Sequence, residues 1–247
     1  MTAAAAPTSR VEFDSGWRSF DGIHGGLVVA TVLRAAAEAT GAVPAAVTAH
    51  FHRPVQAGAA ELTVGPERGG RTVSSLVELS DSVTALVRLT RDAGEITLPA
   101  TGFASYVADP AALPRLDVPV DFVPFAQHLD IRPINDARPF AGGDTPEFDV
   151  WIRLDPSLGL AGPELAAVLL DALPPALYAT RTAPVPIPTA EFSAHFVPTG
   201  RSRSSWHRLR HRTVWASETL CVDETELFAP SGDLTAQARQ LRRILAS

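Results

Sequence analysis

Apolar residues along this chain follow two periods, and the switches between them outline its elements. Residues Leu27 to Thr40, LVVATVLRAAAEAT, carry Val28, Val29, Val32, Leu33, Ala36 and Ala37 at helical spacing, with Arg34 and Glu38 off that face. Gly41 follows as a C-cap. A helix with only two charges must be largely surrounded by protein. Before it, Arg10 to Phe20 alternate loosely around Val11, Phe13 and Trp17, which predicts an opening strand and a turn. After it, Ala46 to Arg53, Glu61 to Pro66, Thr72 to Leu79, Thr84 to Arg91 and Ile96 to Tyr106 read as strands, punctuated by Gly58, Gly69-Gly70 and Gly94. Strand, buried helix, then more strands suggests an antiparallel sheet wrapped around one helix.

The pattern then breaks and starts again. From Asp109 the chain is Pro-rich and without a period (Pro110, Pro114, Pro119, Pro124), the composition of a linker. Strands near His128 to Ile134 and Phe148 to Leu154 precede a helix from about Pro163, PELAAVLLDAL, which runs into Pro174-Pro175. Further strands follow at Thr189 to Phe196, Trp206 to Thr213, Ser217 to Phe228 and Leu234 to Leu241.

This second programme echoes the first in its letters. Thr48-Ala49-His50-Phe51 returns as Ser193-Ala194-His195-Phe196, 145 residues on; Arg71-Thr72-Val73 returns as Arg212-Thr213-Val214, 141 on; and the Gly94 turn returns at Gly232, 138 on. Offsets that drift slowly imply a duplication with small loop indels. The expected organisation is one unit over residues 1–108, a linker over 109–126 and a second unit over 127–247.

Composition narrows the chemistry. The net charge of −6 argues against nucleic acid as a partner, which needs a basic footprint. All 21 basic residues are Arg, which excludes Schiff-base chemistry and a P-loop, since both need a lysine amine. The lone Cys221 cannot form an internal disulfide; in a strand-like context it is expected to be a buried, inert thiol in a reducing, cytoplasmic setting. No apolar run reaches membrane-spanning length, and MTAAAAPTSR reads as a frayed terminus rather than a leader.

Asp171 is the residue that most needs explaining, because it sits beside the stripe Leu165, Val168, Leu169 and Ala172 where the prolines force a bend. It is either a residue on the wet edge of its helix or a general base set by apolar walls. The halves divide the rest of the chemistry. At the start of the first helix His24-Gly25-Gly26 offers backbone donors at a positive helix end, while nine residues on stands inert Leu33. In the second half the acid is present but Pro163 has replaced a glycine. Two facing halves could therefore build a single site, with the glycine turn polarising a carbonyl and Asp171 handling a water. His50 and His52 share a strand face but lack a third ligand, so no metal is expected, and the repeat of His50 as His195 favours a structural role there. The run Arg201, Arg203, Arg208, Arg210 and Arg212 reads as a solvated loop and strand edge, with a phosphate site there or at Arg53 as the lesser reading. No G-x-S-x-G elbow is present.

Taken together, HGGLVVATVLRAA and VTAHFHRPV in the first half, and LLDALPPALYA, PTAEFSAHF and GDLTAQARQ in the second, resemble the TesB-like acyl-CoA thioesterases over nearly the whole chain. The resemblance implies an α+β double hotdog, two tandem antiparallel sheets each wrapped around a central helix and joined side by side. It also implies a catalytic Asp, Thr and Gln holding a water against a thioester carbonyl. By position these fall on Asp171, Thr189 and Gln240, with His24, Gly25 and Gly26 forming the oxyanion or substrate-binding turn. The expected reaction is hydrolysis of acyl-CoA to free acid and CoA in lipid metabolism, by a cytoplasmic homo-oligomer without cofactor or membrane insertion. The alternatives are an idle acyl-CoA or acyl-chain binding protein and, more weakly, an enoyl-CoA hydratase, for which the sequence offers no Asp-His pairing at the usual place.

Overall fold

The computed structural model describes residues 8–97, 108–197 and 206–245. They form a single twelve-stranded antiparallel sheet with two α-helices. The first half contributes β1 (Thr8–Phe13), α1 (Gly25–Thr40), β2 (Val43–Phe51), β3 (Gly58–Val64), a two-residue β4 (Arg68–Gly69), β5 (Thr72–Leu79) and β6 (Val83–Thr90). The second contributes β7 (Leu129–Pro133), β8 (Glu147–Leu154), α2 (Gly162–Leu170), β9 (Thr189–Phe196), β10 (His207–Ala216), β11 (Leu220–Phe228) and β12 (Leu234–Arg243). Their order across the sheet is β1-β3-β5-β6-β2-β9-β12-β11-β10-β8-β7, with β4 beside β5. Each half is thus a hotdog, a curved sheet closed over its helix, and the junction is β2 against β9. Of the last strand predicted in the first half, Ile96 and Thr97 are not in a strand, and residues 98–106 lie outside the described residues.

Alternation makes the inner wall. In β5 and β6 the residues Val73, Val77, Leu79, Val83, Ala85, Val87 and Leu89 are buried, every second position along the strands. Against them lies α1, whose Val28, Val29, Val32, Leu33 and Ala36 are buried while Arg34 and Glu38 reach solvent. The helices run antiparallel: Gly26 at the start of α1 meets Ala167 and Val168 near the end of α2, and Arg34 further along pairs with Glu164 at the start of α2.

The junction explains one of the sequence echoes and dismisses the other two. Thr48 pairs with Ser193, its own copy 145 residues on, and Ser193 Oγ lies 3.2 Å from Thr48 Oγ1. The pseudo-twofold axis between the halves passes through that pair. By sheet order the counterpart of β5 is β11 and that of β3 is β10, so Arg71-Thr72-Val73 and Arg212-Thr213-Val214 occupy unrelated strands. Gly232 belongs to the β11–β12 turn, whose counterpart joins β5 to β6, whereas Gly94 follows β6. Those shorter offsets are coincidences, the first of similar strand composition and the second of two glycines in turns that do not correspond. His50 and His195 are both exposed on the outer face, so neither supports the core.

The segment expected as a linker is more than a tether. It makes two 3-10 turns, Pro110–Ala112 and Pro124–His128. Its amides donate to both halves, Leu116 N to Ile131 O at 2.7 Å and Phe125 N to Arg18 O at 3.1 Å. Buried Phe125 then stacks on His24 with ring centroids 4.2 Å apart.

Candidate active site

The first four amides of a helix lack intrahelical acceptors, and α1 disposes of them unequally. His24 is the N-cap: Leu27 N donates to its Nδ1 at 3.3 Å, and Leu27 and Val28 N also reach its carbonyl. With Nδ1 accepting, the ring proton sits on Nε2, which donates to the backbone oxygen of Asp171 at 3.0 Å. His24 thereby ties the start of α1 to the end of α2. Burial pushes its pKa down, against the opposing pull of Asp171, so the ring is neutral near pH 7. Gly26 N donates to Asp171 Oδ2 at 2.8 Å. That leaves Gly25 N, which has no acceptor among the described residues.

Asp171 stands one residue past the helix, as the C-cap of α2, rather than within it. The reason is Pro174, whose ring would collide with the carbonyl four residues back, that of Leu170, the last helical residue. The early stop aims the carboxylate at the N-terminus of α1, where the helix dipole favours a negative charge. Two glycines stand at this crossing, and only Gly26 is closed in by backbone. A Cβ on Gly26 would lie 2.6 Å from Ala167 O and 2.9 Å from Val168 Cα, and one on Gly25 would lie 2.9 Å from Asp171 Oδ2.

The sheet supplies the other side. Gln240, fully buried on β12, donates from Nε2 to Asp171 Oδ1 at 3.0 Å, and its Oε1 accepts from Thr189 Oγ1 at 2.9 Å. Strict alternation along β9 would turn Thr189 outward, since Phe192, Ala194 and Phe196 are the buried set. A β-bulge at Ala190 changes the parity: Leu241 pairs with Glu191 but Arg242 pairs with Thr189, which brings the hydroxyl to the inner face. Asp171, Thr189, Gln240, His24 and Gly26 are therefore one hydrogen-bonded group, with the Asp171 side chain 12% exposed.

Behind Thr189 lies a buried cluster of charge on β10, β11 and β12. Arg242 NH1 donates to Thr189 Oγ1 at 2.9 Å, and its Nε stands 2.7 Å from Asp223 Oδ2, an ion pair off the N–H axis. Thr213 Oγ1 donates to Asp223 Oδ1 at 2.5 Å, and His211 Nε2 lies 3.5 Å from its Oδ2. Burial works to raise the Asp223 pKa, but His211, Arg242 and Thr213 outweigh it and hold the carboxyl well below the usual range. The signal was available: Gln240 and Arg242 are two apart on one strand, as are Cys221, Asp223 and Thr225 on the next, so each set shares a face.

Other expectations resolve differently. Cys221 is buried and its thiol is pushed up to about 11, chiefly by burial and then by the Asp223 charge. Arg208 is not solvated; it is buried and grips Asp149 through two hydrogen bonds, while Arg210 pairs with Glu147 and Arg212 with Glu224. Arg53 is paired with exposed Asp81, and Arg201 and Arg203 lie outside the described residues. Across the two halves, outside the reach of the Asp-His expectation for each half taken singly, His24 Nε2 lies 3.5 Å from Asp171 Oδ2. The residues are 147 apart in sequence, a distance that a search within either half cannot bridge.

Two family models cover most of the chain: the acyl-CoA thioesterase N-terminal domain matches residues 13–91, and the acyl-CoA thioesterase C-terminal domain matches residues 105–244. The chain belongs to the acyl-CoA thioesterase family. Solved structures share this chain's fold over nearly its full length. A hot dog fold protein of unknown function from Alicyclobacillus acidocaldarius is 23% identical with a TM-score of 0.86, covering 97% of this chain and 94% of that one. The tesB protein of Mycobacterium avium subs paratuberculosis is 17% identical with a TM-score of 0.74, covering 97% and 93%. The acyl-CoA thioesterase II TesB2 of Mycobacterium marinum is 16% identical with a TM-score of 0.73, again covering 97% and 93%. No curated protein matches this thioesterase-family sequence.

Proposed function

We propose that this protein hydrolyses an acyl-CoA thioester to the free acid and CoA, with Asp171 as general base for the attacking water. The observation that carries the reading is the carboxylate itself: one oxygen accepts from Gly26 N of the first half and the other from Gln240 Nε2 of the second. Each oxygen keeps lone-pair capacity for a water. Thr189 and Gln240 fix the carboxylate and orient that water. Water attacks the thioester carbon, its proton passes to Asp171, and collapse of the tetrahedral intermediate expels CoA thiolate. The Gly25 amide, at the positive end of α1, is the donor for the developing oxyanion. Gly26, assigned to that role on sequence grounds, instead holds the base.

The His24–Asp171 approach gives some support to a hydratase, which would use the imidazole as a base. Both ring nitrogens are already committed, however, one to Leu27 N and the other to Asp171 O, and the ring is 2% exposed beneath Phe125. A base needs a free lone pair facing substrate, so hydrolysis is favoured. We assign the protein to lipid metabolism in the cytoplasm, as a homo-oligomer taking acyl-CoA as substrate. Thiol release measured over short, medium, long and aromatic CoA esters tests the reaction. Turnover of at least one class is expected; calorimetric binding without thiol release throughout would make the protein an idle acyl-CoA binder instead.

A further inference from the structure

The two halves provide an internal control for the buried charges behind the site. Strand pairing aligns them without reference to side-chain chemistry. Ala49 and Ala194 are equivalent by the 145-residue repeat; Ala85 pairs with the first and Ala238 with the second. Counting along and across from there, Gln240 corresponds to Val87, Arg242 to Leu89, Asp223 to Ser75, Cys221 to Val73 and Thr225 to Val77. Thr189 corresponds to Pro44, and the bulge recurs, since Leu89 pairs with Pro44 and Arg88 with Ala46. The same backbone is therefore built in the first half with no ion pair at these positions.

Removing a carboxylate and a guanidinium from water is costly, and well-packed aliphatic residues commonly do at least as well for stability. The first half demonstrates such a solution on this very scaffold. Asp223 is completely buried and Arg242 is 5% exposed, so their presence calls for a reason other than folding.

Hydrogen-bond polarity supplies one. A guanidinium only donates. Arg242 NH1 therefore occupies a lone pair of Thr189 Oγ1, and the single hydroxyl proton of Thr189 goes to Gln240 Oε1. With its oxygen so engaged, the Gln240 amide turns its NH₂ to Asp171 Oδ1. The reversed amide would set an oxygen against the carboxylate. We propose that Arg242, held by Asp223, is a positioning residue that fixes the direction of the Thr189–Gln240–Asp171 hydrogen-bond chain. The proposal rests on Asp171 being the site of hydrolysis.

The test introduces the first half's own residues as the double variant Asp223→Ser/Arg242→Leu, which leaves no unpaired buried charge at the ion pair. Thiol release, circular dichroism and side-chain ¹⁵N spectra of the Gln240 amide are measured beside wild type and Asp171→Asn. The double variant is expected to fold, to keep KM, to lose about 10- to 100-fold in kcat as misplaced reacting groups do, and to show Gln240 in two orientations. Wild-type kcat in the folded double variant, with Asp171→Asn inactive, overturns the positioning role while leaving the proposed function intact. If wild type releases no thiol, the function fails, and a Gln240 amide equally ordered in both proteins overturns the positioning role separately. Should the double variant not fold, Arg242→Lys and Arg242→Gln decide: lysine, donor only, preserves kcat better than glutamine, which can also accept, and equal values overturn the proposal.

Discussion

Gly25 and Gly26 are adjacent in the chain but face different neighbours, so the same substitution should fail in different ways. A methyl on Gly25 meets the ends of two side chains, Asp171 and Phe51, which can yield. Gly25→Ala should leave the melting temperature nearly unchanged and lower kcat by about 100-fold through displacement of the carboxylate, as thiol release would read. His24 makes a prediction about pH. Its folded pKa lies below the ordinary value of 6.5, so its contribution to stability is fully present above that value and is lost as pH falls toward the folded pKa. Urea unfolding between about pH 7.5 and 5.5 should show the advantage of wild type over His24→Asn shrinking as pH falls; a constant difference would refute the assignment of a neutral, buried ring. At this scale the sequence was informative where residue type was unusual for its place, as with Asp171 in an apolar stretch. It was less so for Arg242 and Asp223, because Arg and Asp on strands are mostly solvated and only the period of two marks these as inward.

Between elements, the decisive feature is the crossing of α1 and α2. Gly26→Ala forces a methyl against the backbone of Ala167 and Val168, which cannot yield without moving a helix. It should cost about 1–3 kcal/mol, as overpacking does, measurable by denaturant unfolding, and a variant as stable as wild type would contradict the close approach. The helix itself was legible from its apolar period, and its end from Pro174, although where the last turn stops depends on a clash four residues back rather than on the proline's own position. The bulge at Ala190 was not legible. It is a register shift between β9 and β12, where the paired Thr189 and Arg242 are 53 residues apart in sequence, and it decides which way Thr189 faces.

At the level of the whole molecule, duplication could be read from a single offset, and the reason is geometric. The echo that held, Thr48 and Ser193, lies on the pseudo-twofold axis, where each copy packs against the other and both must remain small and polar enough to pair. Of the echoes that failed, Thr72-Val73 and Thr213-Val214 lie on strands whose only common property is alternation, and Gly94 and Gly232 lie in connections that do not correspond. Because β2 and β9 make one sheet of two halves, calorimetry should show a single cooperative transition rather than two. The division of labour follows the same logic: one half supplies a helix N-terminus with glycines, the other an acid, a hydroxyl and an amide. Neither half alone holds all the residues of the proposed site. The most direct test is thiol release by Asp171→Asn, with folding verified by circular dichroism, on the CoA ester that wild type hydrolyses best. A fall in kcat of at least about 100-fold is predicted, the scale expected of a lost general base; a folded variant retaining the wild-type rate would contradict the site.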